Sequence, residues 1–200
     1  LLLNKVQGVI FDLDDTLVSS ALNFKTIKAE LGCPINVDIL EFVSGFDPEQ
    51  QTKMHNIIVQ HEVKDAHNAV KLHGVDELLS LLHHLTVPCA IVTRNCREAA
   101  AIKIKSNDIK IDLVLSREDH PAKPAPDALI HVSQLWQIAP ENVLYVGDYL
   151  YDVQAANNAN TMSCLISYGT DPDYAELADI VVNELPDLSQ VIRQAYQVAI

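Results

Sequence analysis

An α/β fold built on an open parallel sheet is what this sequence predicts, and three observations predict it. Short apolar runs recur along the chain and end in charged or small residues. Helical periodicities lie between those runs. The first run lacks the strict alternation of a half-solvated strand, so it reads as a strand buried on both faces. Strand–helix–strand repetition of this kind implies a parallel sheet with helices on both sides.

The first expected strand is VQGVIFDLD (6–14). VPCAIVT (87–93), IDLVLS (111–116), NVLYVGD (142–148) and TMSCLIS (161–167) are the next four, and ADIVV (178–182) is a short sixth. In VDELLSLLHHL (75–85), Val75, Leu78, Leu79, Leu82 and Leu85 share one helical face. The stretches 95–107, 126–137 and 149–159 are comparable. One region breaks the rhythm. From Val18 to about His73 there are only helical patterns, near 21–31, 36–44 and 48–72. The expected architecture is a Rossmann-like core, residues 1–17 and 74–200, with a small all-helical cap, residues 18–73, inserted after strand 1.

Composition narrows the function. The chain has 200 residues, 48% of them hydrophobic, enough for a sizeable core in one domain with a modest insertion. Its formal charge of −13 repels phosphate backbones, so nucleic-acid binding is not expected. A small anionic substrate stays possible, because a metal and a few local cations override the wider field at close range. Cys33, Cys89, Cys96 and Cys164 form no CxxC pair, which points to free thiols in a reducing cytoplasm. The opening LLL is too short for a signal-peptide core or a membrane span. The first residue is not Met, which leaves the completeness of the N-terminus open.

Open parallel sheets bind ligands beyond the carboxyl ends of their strands. Strand 1 ends in Asp12, Asp14 and Asp15; strand 2 ends in Thr93, Arg94 and Asn95; strand 4 ends in GDYLYD, with Asp148 and Asp152. Beyond strand 3 comes Lys123, in HPAKPAPD. Carboxylates brought this close repel one another in a poorly solvated site, and a hard divalent cation, usually Mg²⁺ beside phosphate, relieves the repulsion. Asp12 and Asp14 point to the same side of a strand by its period of two. Thr93 offers a hydroxyl and Lys123 a point charge. Nucleophile, acid/base, metal site and charge clamp are the parts of phosphoryl transfer.

The ordered set DLDDT (12–16), Thr93, Lys123 in KPAPD and GDYLYD (147–152) resembles the haloacid dehalogenase-like hydrolases, over nearly all of the core. The helical insertion resembles the small cap of the phosphoglycolate phosphatase-like branch. HGVDELL (73–79) resembles the PGVxELL of that branch, with His73 where proline is usual. The resemblance implies roles residue by residue. Asp12 would be the nucleophile, forming an aspartyl-phosphate. Asp14 would protonate the leaving oxygen and then activate water. Asp12, the Asp14 backbone carbonyl, Asp148 and Asp152 would serve Mg²⁺, the last as ligand or by orienting its waters. Thr93 and Lys123 would hold the phosphoryl oxygens, with backbone amides near Arg94 and Asn95. The Lys123–Pro124 bond would be cis.

The expected function is hydrolysis of a small phosphorylated metabolite by a cytoplasmic, Mg²⁺-dependent phosphatase, with no nucleic-acid or membrane partner. Its rivals are a sugar phosphomutase on the same scaffold, a receiver-type phosphoacceptor and an inactive binding descendant. Retention of Asp14 argues against a dehalogenase. Asp15, where the family often has glycine, reads as structural. Thr93 doubles as an expected N-cap for 95–107. Ser19 stands where the family commonly has aspartate, and Asn160 where it has glycine. His55, His61, His67 and His73 recur every six residues, about 240° apart on one helix, so they form no ligand cluster.

Overall fold

The computed structural model describes residues 2–170 and 172–197. Six strands, β1 (Gly8–Phe11), β2 (Cys89–Val92), β3 (Leu113–Leu115), β4 (Val143–Gly147), β5 (Met162–Ile166) and β6 (Ile180–Val182), form one sheet in the order β3-β2-β1-β4-β5-β6. Every pairing is parallel. β1 lies between β2 and β4, so the strand order reverses there, and such a reversal opens a crevice at the carboxyl ends.

Burial on both faces explains the unbroken apolar runs. Val9 and Phe11 of β1 join one apolar cluster with Leu144, Val146, Leu78 and Leu82. Ile10, between them, joins the opposite cluster with Tyr145, Leu129 and Val132. Helices α4 (Val75–His84), α5 (Arg97–Ser106), α6 (Asp127–Trp136) and α7 (Leu150–Ala159) connect the strands. All lie where the periodicity places them, within two residues.

Three helices stand between β1 and α4: α1 (Phe24–Leu31), α2 (Ile39–Ser44) and α3 (Pro48–Ala66). Asn23, Asp38 and Asp47 cap their N-termini through side-chain oxygens. Ile27, Leu31, Cys33, Ile39, Val43 and Ile58 bury one another in a cluster of their own. The helical pattern expected over 48–72 ends six residues early. Beyond Ala66 the chain turns back and pairs with the outgoing segment: Ser19 N–H donates to the Val70 carbonyl at 2.8 Å, and Leu72 N–H to the Leu17 carbonyl at 3.0 Å. Ser19 Oγ accepts from Val70 N–H at 3.0 Å. The serine at this position therefore stitches the two connecting segments together.

Two further differences stand out. Thr93 does not cap α5; Cys96 does, its sulfur accepting from Ala99 N–H, and the helix begins at Arg97. No element is expected after residue 182, yet α8 (Leu185–Ala195) is there, burying Leu185, Leu188 and Ile192 against the cluster that contains α4. Their i, i+3, i+7 spacing is a helical signature.

Candidate active site

The end of β1 delivers the first carboxylate. Asp12 continues the strand, its N–H bonded to the Val146 carbonyl at 2.8 Å, and its side chain is almost fully buried. Burial of a carboxylate demands a partner. Lys123 supplies it: Nζ donates to Asp12 Oδ1 and to Asp152 Oδ1, both at 2.6 Å. The lysine arrives on the loop after β3 and precedes a cis bond to Pro124. Burial opposes its charge, but Asp12 and Asp152 outweigh that and raise its pKa.

The end of β4 delivers the rest. Asp152, in the first turn of α7, turns back over Gly147. Its Oδ2 accepts from the N–H groups of Asp148 at 3.2 Å and Tyr149 at 3.0 Å. A Cβ on Gly147 would lie 2.3 Å from the Asp152 carboxyl carbon, so only glycine fits there. Tyr145 completes the clamp by donating to Asp152 Oδ1 at 3.2 Å. One carboxylate oxygen each from Asp12, Asp148 and Asp152 lies within 4.8 Å of the others.

That convergence is electrostatically costly. Burial pushes the Asp12 carboxyl up to about 7, against the pull of Lys123. Burial and then the charges of Asp12 and Asp152 push Asp148 up to about 8. Three oxygen donors short of positive charge suit a hard divalent cation such as Mg²⁺. The residues present therefore fit that ion.

Asp14 takes a separate place. Its carboxylate is held by Lys103 Nζ at 2.6 Å and Asn95 Nδ2 at 2.9 Å rather than by the cluster. Lys103, on α5, is fully buried and also bonds Asp65 of α3 at 2.8 Å. Thr93 Oγ1 accepts from Asn95 N–H at 3.1 Å and Nδ2 at 3.0 Å, which fixes the loop after β2. Arg94 points toward α2: Nη2 donates to Asp38 Oδ2 at 2.6 Å, Nη1 to the Lys123 carbonyl, and the guanidinium stacks 4.7 Å from the Tyr151 ring. Asp15 adopts a left-handed turn with φ 54° and accepts from Ser20 N–H at 3.0 Å, a structural post. Asn160 ends α7 with φ 56°, as a glycine would. Burial pushes the Cys96 thiol up to about 11, which keeps it protonated.

A family model described as haloacid dehalogenase-like hydrolase matches residues 9–166. The chain belongs to this family. It is 31% identical over 185 residues to a haloacid dehalogenase-like hydrolase domain-containing protein of Arabidopsis thaliana, covering 84% of this chain and 75% of the relative. It is 27% identical over 218 residues to the N-acetylmuramic acid 6-phosphate phosphatase of Pseudomonas putida, covering 96% and 98%. The crystal structure of a hydrolase from Pseudomonas syringae shares the fold at TM-score 0.78, 23% identity and coverage of 97% and 100%. Among the described residues no helix is long and apolar enough to cross a membrane.

Sequence reasoning missed Lys103, Asp65, Asp38 and Tyr145. One signal was present. Ala99 and Ala100 occupy the buried face of α5, and Lys103 follows at i+4 and i+3 on the same face. A charge on an apolar stripe asks for a buried partner. Asp38 and Asp65 gave no such signal, because each is also an ordinary polar residue of an amphipathic helical region.

Proposed function

We propose that this protein is a Mg²⁺-dependent phosphatase that hydrolyses a small phosphomonoester through an aspartyl-phosphate on Asp12. The observation that carries the reading is the convergence of Asp12, Asp148 and Asp152 where the strand order reverses, with one buried lysine bonded to Asp12 and Asp152. Family membership and a relative named N-acetylmuramic acid 6-phosphate phosphatase support it.

In this reading an Asp12 carboxylate oxygen attacks phosphorus and the bond to the ester oxygen breaks. Asp14 gives that oxygen its proton, and the alcohol leaves. Water then attacks phosphorus, Asp14 takes the water's proton, and the bond to Asp12 breaks, releasing phosphate. Lys123 neutralises phosphoryl oxygens while Tyr145 and Asp152 fix its position. The Thr93 hydroxyl and the backbone amides near Arg94 and Asn95 hold the remaining oxygens. Mg²⁺, held by Asp12, Asp148, the Asp14 carbonyl and Asp152 directly or through water, would supply charge neutralisation for the phosphoryl group. Residues 18–73 serve as the cap and 1–17 with 74–200 as the core; the separate apolar cluster of α1–α3 and the stitched connection at Ser19 and Val70 support that division. The four free thiols fit a cytoplasmic setting.

A panel of phosphomonoesters incubated with Mg²⁺ tests the reading, with Asp12→Asn as the blank. Free phosphate from the unaltered protein and none from the variant is expected. Silence toward every substrate, including an activated aryl phosphate, would overturn it; sugar-phosphate isomers instead of phosphate would point to a mutase.

A further inference from the structure

Beside the strand ends lies a cleft of about 310 Å³, between Asp38, Leu40 and Glu41 of the helical segment and Arg94, Pro124 and Tyr151 of the sheet core. Lys123 joins it to the candidate active site, with its carbonyl bonded to Arg94 on the cleft side and its Nζ bonded to Asp12 on the other. Through that residue the cleft adjoins the place a phosphoryl group at Asp12 would occupy, which makes it the neighbouring space for an ester substituent. The volume lies at the low end of small-molecule pockets. It has room for a substituent of triose to hexose size.

The charge of the walls selects what enters. Two of the lining residues are cationic, and both are already engaged. Lys123 turns its Nζ away from the cleft, toward Asp12 and Asp152. Arg94 pairs with Asp38 at 2.6 Å, gives a second bond to the Lys123 carbonyl, and covers one face with Tyr151. Burial works against ionisation of Asp38, yet Arg94 beside it holds its pKa below the usual carboxylate range. Glu41 adds a further carboxylate with no cation assigned to it among the described contacts. The remaining surface is the Tyr151 ring, Leu40 and Pro124. An anionic substituent would meet two carboxylates and no cation free to pair with it, and juxtaposed like charges disfavour binding. A neutral substituent with hydroxyls has the Asp38 and Glu41 oxygens as acceptors and an aromatic face to stack on.

Resting on the phosphatase reading, we infer that the leaving group is an uncharged, hydroxyl-bearing molecule, and that the Asp38–Arg94 pair excludes carboxylate-bearing phosphates. Asp38 is a specificity determinant because it silences the one arginine that would bind a carboxylate.

Matched substrate pairs that differ in one carboxylate test this: glycerol 3-phosphate against 3-phosphoglycerate, and sorbitol 6-phosphate against 6-phosphogluconate. The unaltered protein should favour the neutral member of each pair in kcat/KM by about tenfold or more. Asp38→Asn keeps an N-cap oxygen for Leu40 and Glu41 N–H but removes the negative charge that faces Arg94. It should narrow the preference, and adding Arg94→Leu should restore discrimination against the carboxylate. Equal or reversed preference in the unaltered protein, or a ratio unmoved by Asp38→Asn, would overturn the inference. Cleavage of p-nitrophenyl phosphate separates the two levels: if it is cleaved and the pairs are not distinguished, the substrate class is wrong. If it is not cleaved either, the phosphatase reading fails.

Discussion

Two groups of buried carboxylates in this molecule differ in how their charge is answered. In the seam between α3 and α5, Glu62 pairs with Arg117 and also accepts from Cys96 N–H at 3.1 Å. Asp65 pairs with Lys103 and accepts from Ala21 N–H at 2.7 Å and Ser20 Oγ at 3.0 Å. Burial acts against the Asp65 charge, but these donors hold its pKa below the usual value. At the strand ends, Lys123 pairs with Asp12 and Asp152 and leaves Asp148 without an ion pair among the described residues, and Asp12 and Asp148 are pushed up to about 7 and about 8. The seam is electrostatically complete, which suits a structural joint. The strand-end cluster lacks positive charge, which suits a place where a cation and a phosphoryl group work.

Removing a carboxylate should thus have opposite effects at the two places. Asp148→Asn at the cluster should abolish Mg²⁺-dependent turnover yet raise the melting temperature of the metal-free protein at pH 8, because a repulsion is lost. A fall in that temperature would break the contrast. Lys103→Met touches both chemistries, since Lys103 holds Asp14 as well as Asp65. It should lower kcat by ~10²–10⁴, as for a mispositioned acid–base group, with a smaller change in KM. Glu62→Gln should leave turnover far higher than Lys103→Met does. Its cost is stability, about 3–5 kcal/mol for a broken buried pair, read as a drop of roughly 6–20 °C in a thermal melt.

The smallest effect sharpens the comparison through pH. Asp12 and Asp148 have folded pKa values above the ordinary 3.8. Between 3.8 and about 8 the metal-free folded state therefore holds more protons than the unfolded chain, and its stability falls as pH rises through that window. Mg²⁺ held by the ionised carboxylates would offset the loss. Its stabilising effect in a thermal melt should grow from about pH 5.5 to about pH 8 and vanish near pH 4. A Mg²⁺ effect that shrinks with rising pH would contradict the assignment.

Much of this was legible in the chain because it is local. Strands buried on both faces must be apolar throughout, and the residue after each strand stands at the crevice; Asp12, Thr93 and Asp148 follow from that alone. What stayed hidden is tertiary. Pairing of Val70 and Leu72 with Ser19 and Leu17 shortens α3, and no helical periodicity reports it. The Asp38–Arg94 contact joins residues 56 positions apart, and Asp14 to Lys103 spans 89, so neither partner names the other in sequence. Thr93 and Cys96 compete for the same cap, and the loop geometry that decides between them depends on Asn95 folding onto Thr93. Helix α8 was a missed period rather than a hidden contact.

The central claim is that the charge-deficient cluster makes Asp12 a phosphoryl acceptor. Mass spectrometry of protein quenched in acid during turnover of a phosphomonoester with Mg²⁺ tests it most directly. The expected result is a phosphorylated peptide containing Asp12, labile to hydroxylamine and absent without Mg²⁺ or in Asp12→Asn. Turnover with no phosphopeptide at Asp12, or undiminished turnover by Asp12→Asn, would contradict it.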